Sequence, residues 1–267
     1  MNDLVRMRWF SLMGVPGKQK RASPPQAAGQ EWLRPEQILL LWLAFLGLLL
    51  FATAWLWKLG IWHTLVSADP TFLTVIIVLI FFGSTFWCGF RSVRLAQQRH
   101  ALSAVAIRLQ SQPETLIAAL DSLGVDRRTD WIYAYFRDIL SKGPQGWREN
   151  GQLTDLLAER AHGPHESAWW VNGIQLKLGL LGKVIGFSIL ALQIGAMESF
   201  DPGQSQLFLK NLTNGLGIAL LTTMTGLAAN ILLGLQLTRL DRVADELVAD
   251  ALSIAESDLG PVFGRAG

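Results

Sequence analysis

The hydrophobic positions of the chain are concentrated in four long runs separated by more polar segments. Residues 38–57 and 72–90 contain no charged side chain, residues 178–197 contain only Lys183, and residues 212–237 contain none. A helix of about twenty residues rises about 30 Å, which is the thickness of the hydrocarbon core of a bilayer. The pattern therefore predicts four membrane-spanning helices.

The polar segments between the runs complete the predicted organisation. We predict an all-α membrane protein with a leader at 1–37, a transmembrane hairpin at 38–90, a helical domain at 91–173, a second hairpin at 174–237 and a helical tail at 238–267. Pro and Gly punctuation in the middle domain predicts a helix start at Pro113 and helix ends at Gly124, Gly143-Pro144 and Gly163-Pro164.

The short sequence HGPHE at 162–166 contains two histidines and a glutamate, which are possible metal ligands. Because a Gly-Pro pair separates the histidines, we expect a surface loop there rather than a metal site of His162, His165 and Glu166. We expect neither a bound cofactor nor a catalytic residue.

Lys and Arg are unevenly distributed among the segments outside the runs. They are frequent in the leader, after the second run and after the fourth run, whereas the two hairpin loops contain only Lys58 and Lys210. Since short loops rich in Lys and Arg remain in the cytoplasm, both termini and the middle domain are predicted to be cytoplasmic. We expect a multi-pass protein of a bacterial inner membrane, with the first run retained rather than cleaved as a signal peptide.

The composition agrees with this class of protein. Hydrophobic residues make up 51% of the chain and charged residues 16%, which is too apolar for an ordinary soluble domain. The net charge of +2, with no basic strip interleaved with aromatic residues, argues against a nucleic-acid partner.

The tail continues a helical pattern beyond the fourth run. Its apolar positions are spaced four and three residues apart, at Leu240, Ala244, Leu247, Ala251 and Ile254. The fourth helix is therefore predicted to extend past the membrane, and the apolar seam fits either a contact between subunits or packing against the middle domain of the same chain.

The third and fourth runs are richer in small and polar residues than the first two. Their glycines favour close packing of helix backbones, and we select Gly179, Gly182, Gly186 and Gly226 for this role. In the fourth run, Thr222, Thr223 and Asn230 form a polar stripe, which predicts an ion path or a partner contact. A single threonine can alternatively bond a carbonyl one turn back, but Asn230 has no such simple local solution.

Lys183 is the charged residue of the third run. A charge within a span costs about 2.5 to 3.5 kcal/mol on insertion scales, so it is usually retained for a pathway, an ion pair or a gate. The alternative is that its long side chain extends back to the headgroups near Lys177.

Two of these stretches resemble a known family. LGLLGKVIGF at 178–187 resembles the LGLLGTVxGM signature of the flagellar-stator and TolQ/ExbB proton-channel family, and IALLTTMTGLAANI at 218–231 is similar to its next-helix pattern ALxATAxGLxxAI. The motif threonine of the fourth helix falls on Thr223, whereas Lys183 replaces the threonine of the first motif. The four-span layout resembles the flagellar stator A subunit, MotA.

The resemblance implies a homopentamer whose third and fourth helices surround a partner with a single span, similar to MotB, TolR or ExbD, that carries an intramembrane Asp. Proton or sodium flow would then drive rotation or force transmission across the envelope. The substitution by Lys183 suggests that this lysine pairs with the acid of the partner.

Three other functions are alternatives to this one. An intramembrane enzyme is disfavoured because the chain lacks GxSxG and HExxH motifs and a pair of intramembrane aspartates. A solute transporter would normally show inverted repeats, and the two hairpins are dissimilar. A non-conducting scaffold of the same fold stays open because of Lys183.

Overall fold

The computed structural model describes residues 35–69, 71–111, 129–148, 151–195 and 202–259. Its helices are α1 (Pro35–Lys58), α2 (Ile61–Ala68), α3 (Leu73–Ser111), α4 (Trp131–Arg148), α5 (Gly151–Gly195) and α6 (Pro202–Ile254), followed by a π-helical turn at Ala255–Leu259. Four of them, α1, α3, α5 and α6, are long and apolar enough to cross a membrane, which confirms the four predicted spans. The residues of the leader at 1–34 and the helix boundaries predicted at Pro113 and Gly124 lie outside the described residues.

Helices α3, α5 and α6 continue well beyond their apolar runs, with lengths of 39, 45 and 53 residues. Together with α4, their polar ends form a second helical bundle, which we call the extension. Its core contains fully buried side chains from different helices, among them Leu102, Phe136, Leu157 and Leu247. Within the middle segment, residues 91–111 and 151–173 are thus uninterrupted continuations of two apolar helices, α3 and α5.

The apolar seam at the end of α6 packs inside this core. All five seam residues are buried, with 0 to 8% of their surface exposed, and they belong to one cluster with α3, α4 and α5: Leu240, Ala244, Leu247, Ala251 and Ile254. Of the two interpretations that the spacing allows, packing against the same chain is the one that the structure shows.

Helix α5 runs through Gly163 and Pro164 without interruption, so the predicted helix end and surface loop at this point are wrong. A proline cannot donate to the carbonyl four residues earlier, which here belongs to Arg160. The guanidinium of Arg91 on α3 supplies a donor instead, with Nη2 3.3 Å from the carbonyl oxygen of Arg160 and 2.8 Å from that of Ala161. A contact between helices therefore replaces the missing bond within the helix.

The other breaks have local causes. Gly60 (φ 71°) joins α1 to α2, and Gly143 (φ 60°) interrupts α4 at the predicted Gly-Pro position. Asp69 accepts hydrogen bonds from the backbone N–H groups of Thr71 (3.0 Å) and Thr74 (2.7 Å), and the second of these satisfies a free donor in the first turn of α3.

Candidate functional site

The backbones of α5 and α6 approach closely where the two helices face each other at Gly179 and Gly226. A Cβ atom added to Gly226 would lie 2.9 Å from the carbonyl oxygen of Gln175 and 2.9 Å from the Cα of Gly179. These are backbone atoms, which cannot move aside as the end of a side chain can. No residue larger than glycine fits at position 226 without separating the helices.

The same seam continues toward the α5–α6 connection. A Cβ on Gly182 would lie 2.6 Å from Oγ1 of Thr222, and one on Gly186 would lie 2.9 Å from the backbone nitrogen of Ala219. The structure therefore brings all four selected glycines into one helix–helix interface within the chain.

The polar stripe of the fourth run faces this interface. Thr222 is fully buried, and the Thr223 hydroxyl lies 2.7 Å from the carbonyl oxygen of Ala219 and 3.2 Å from that of Gly179. Asn230 donates from Nδ2 to the carbonyl oxygen of Asn172 at 2.9 Å. The hydrogen bonds of the stripe thus join α6 to α5 of the same chain, in addition to the local threonine bond that the sequence allows.

Two further amide side chains are buried, one on α5 and one on α6, and neither was predicted from the sequence to be a site residue. Gln236 on α6 donates from Nε2 to the hydroxyl of Thr85 on α3, at 3.1 Å. Gln175 is fully buried, and neither atom of its amide has a hydrogen-bond partner among the described residues. Both glutamines are visible in the sequence, beside or within apolar runs, but the sequence alone does not show that their side chains are buried.

A second cluster joins the three long helices where the extension begins. His165 on α5 is 2% exposed in its side chain, and its Nδ1 lies 2.6 Å from Oδ1 of Asp241 on α6. Arg91 on α3 donates from Nε to Nε2 of His165 at 3.0 Å, and Trp169 donates from Nε1 to Oδ2 of Asp241 at 2.8 Å. We call these four residues the junction cluster.

The hydrogen bonds determine the protonation of the histidine. Because a guanidinium can only donate, Nε2 of His165 must accept from Arg91, and the ring proton is on Nδ1, where it is donated to Asp241. The ligating atoms of His162, His165 and Asp241 lie within 4.8 Å of one another, a spacing that a metal ion could use. Both ring nitrogens of His165 are engaged, however, and the neighbouring arginine cation opposes a second cation. We therefore interpret this group as a hydrogen-bonded bridge between helices.

The junction cluster makes stability depend on pH. Burial lowers the pKa of His165 below its ordinary value of 6.5; the Asp241 carboxylate opposes this shift, whereas the charges of Arg91 and His162 add to it. A lowered pKa in the folded state means that stability is complete above pH 6.5 and falls as the unfolded histidine becomes protonated below it. We expect the melting temperature in detergent to fall between about pH 7.5 and about pH 5.5, and to fall less in His165→Asn. Equal pH dependence of the two proteins would contradict this assignment.

Lys183 lies on a different face of α5 from the glycine seam. It is exposed beside Val184 and Phe187, whose exposed fractions are 61% and 40%, and its Nζ is 6.0 Å from the centre of the Phe187 ring. No carboxylate among the described residues pairs with it. At 1.5 Å per residue, Lys183 is about 9 Å along the helix axis from Lys177, which is also exposed, and about 20 Å from the exposed Trp170 near the junction cluster.

Comparison of the chain with protein-family models, with curated proteins and with solved structures found no match. Its class follows from the fold: four long apolar helices define a multi-pass α-helical membrane protein. Its distinguishing features are a glycine-lined helix pair, buried amides on both of these helices, and an exposed lysine on α5 that has no carboxylate partner among the described residues.

Proposed function

We propose that the chain is a subunit of an ion-driven complex of a bacterial inner membrane, in which five copies surround the single span of a partner protein. Proton or sodium flow at this contact drives rotation or force transmission across the envelope. Both termini and the extension lie in the cytoplasm, following the distribution of Lys and Arg. The observation that carries the proposal is the exposed position of Lys183 without a carboxylate partner among the described residues.

A charged side chain within a span requires water or an opposite charge. The neighbours of Lys183 on its face of α5 are apolar, and they include Leu180, Val184 and Phe187. An acidic side chain on another chain would neutralise the lysine in place, and a single-span helix with one intramembrane Asp provides it at the least cost in buried charge.

The packing of α5 and α6 supports the proposal that the pair acts as one unit surrounding the partner helix. Close backbone contact along the glycine seam makes the two helices one unit, while their outer faces carry large exposed apolar residues such as Leu220, Met224 and Ile231. In a membrane, such faces contact lipid or further copies of the chain.

A non-conducting scaffold with the same assembly is the second candidate. It is favoured by the use of Thr222, Thr223 and Asn230 within the α5–α6 interface, since these polar groups are then not free to form a path for ions. A role as a membrane transport component would also use this packing. Ion flux through the purified complex in proteoliposomes distinguishes conduction from scaffolding.

Replacement of Lys183 tests the proposed partner contact. Native mass spectrometry of the complex from its own membranes is expected to show five copies of the chain with a smaller single-span protein. Lys183→Gln is expected to leave the five copies together but to weaken retention of the smaller protein about 100-fold, the equivalent of one intramembrane charge. Lys183→Arg, which keeps the charge, serves as the control. Another number of copies, or unchanged retention in Lys183→Gln, would contradict the proposal.

A further inference from the structure

A cavity of about 610 Å³ lies between α3, the start of α4 and α5, immediately beyond the apolar run of α3. Among the described residues, its charged lining consists of three arginines, Arg91, Arg94 and Arg160, and one acid, Glu159. The cavity therefore has an excess of positive charge, and it lies at the point where the chain passes from apolar to polar sequence.

The three arginines differ in what they already bind. Arg91 is engaged with His165 and with two backbone carbonyls of α5, so its guanidinium is held in place. Arg94 lies over the ring of Phe90, 5.2 Å from its centre, and neither Arg94 nor Arg160 has an ion pair with a carboxylate among the described residues. Two cations that can still bind an anion therefore line a cavity whose third cation is fixed.

The position of the cavity indicates which anion it takes. Phe90 is 56% exposed and Trp87 also lines the cavity, while Trp169 and Trp170 on α5 are exposed near the junction cluster. Exposed aromatic side chains are typical of the boundary between hydrocarbon and headgroups. Arginines directly beyond such a belt lie at the level of lipid phosphates, and a guanidinium binds two phosphate oxygens in a planar pair of hydrogen bonds.

We propose that this cavity binds the phosphate group of an anionic phospholipid, with Arg94 and Arg160 as its ligands and Arg91 as a fixed positive charge behind them. Trp87 and Phe90 contact the lipid where the headgroup joins its acyl chains. Lipid bound here bridges α3 and α5 at the start of the extension. This site is independent of the partner contact at Lys183.

The test uses the full-length protein in a neutral detergent, where no charged surface attracts lipid unspecifically. Native mass spectrometry measures binding of short-chain phosphatidylglycerol, of phosphatidylcholine and of inorganic phosphate. We expect phosphatidylglycerol to bind at least about 10-fold more tightly than phosphatidylcholine, and the double variant Arg94→Gln/Arg160→Gln to weaken it about 10- to 30-fold, at roughly one charge contact per arginine.

The matched control is Arg239→Gln/Arg242→Gln, which removes the same charge from exposed positions of α6 outside the cavity. It is expected to bind phosphatidylglycerol as the wild type does, and Arg94→Lys/Arg160→Lys is expected to keep the lipid preference. If the double glutamine variant does not fold, the single variants Arg94→Gln and Arg160→Gln test the proposal instead. Each is expected to bind phosphatidylglycerol about 3- to 5-fold more weakly than the wild type. Equal losses in the cavity and control variants, equal binding of the two lipids, or inorganic phosphate binding as tightly as phosphatidylglycerol would overturn the proposal.

Discussion

Replacing Gly226 with valine is expected to destabilise the folded protein more than any other substitution proposed within the four apolar runs. The first side-chain carbon would lie 2.9 Å from two backbone atoms of α5, so the helices must separate and their contact along the seam is lost. Overpacking usually costs about 1 to 3 kcal/mol, and contact with rigid backbone places this variant at or above about 3 kcal/mol. Net stabilities of proteins are about 5 to 15 kcal/mol, so a large share is removed.

Gly217→Val provides the control on the same helix, since no atom lies within 4 Å of a Cβ added at Gly217. The yield of monodisperse protein after size-exclusion chromatography and the melting temperature in detergent measure both variants. Gly217→Val should behave nearly as the wild type, with Gly226→Val poorly folded. If both variants melt at the temperature of the wild type, α5 and α6 are not packed as described.

Asp241→Ala is expected to destabilise the junction between the membrane helices and the extension by about 3 kcal/mol. The carboxylate accepts hydrogen bonds from His165 and Trp169, and hydrogen bonds to charged groups contribute about 1.5 to 3 kcal/mol each, less where water has access. The side chain of Asp241 is 30% exposed, which reduces the sum of the two. Loss of the Asp241 carboxylate also leaves the Nδ1–H group of the buried His165 without its acceptor.

The control for this variant lies one turn further along α6. Asp245 also contacts a histidine, His162, at 3.0 Å, but its side chain is 71% exposed, so Asp245→Ala should cost less than about 1 kcal/mol. Thermal unfolding in detergent at about pH 7.5 compares the two variants, with an expected difference in melting temperature of about 5 to 10 °C. A difference near zero would show that the junction cluster does not join the helices.

Several parts of the fold could be read from local sequence. Long apolar runs predicted the four spans, because the cost of placing charges and free backbone groups in hydrocarbon depends on the segment itself. The regular spacing from Leu240 to Ile254 predicted that α6 continues beyond its apolar run. The glycines at 179, 182, 186 and 226 were selected because they permit close approach, and the structure places them between α5 and α6.

The error at Pro164 shows what local sequence does not contain. Proline normally ends a helix because it lacks an N–H group, and that rule predicted a loop. The donor that reaches the free carbonyl belongs to Arg91, which is 69 positions away in the chain from Arg160. No local pattern reports such a contact, because it exists only after α3 and α5 have packed together.

The sequence by itself determined the number of apolar helices and the residues able to pack closely, because hydropathy and side-chain size act within a segment. Only the tertiary structure decided that Thr223 and Asn230 bond to α5, that Lys183 lies outside the seam, and that the tail seam packs within its own chain. It also brought Arg94 and Arg160 to one cavity. The direction in which a helix presents a side chain depends on its rotation against neighbouring helices, which residues far apart in the chain set together.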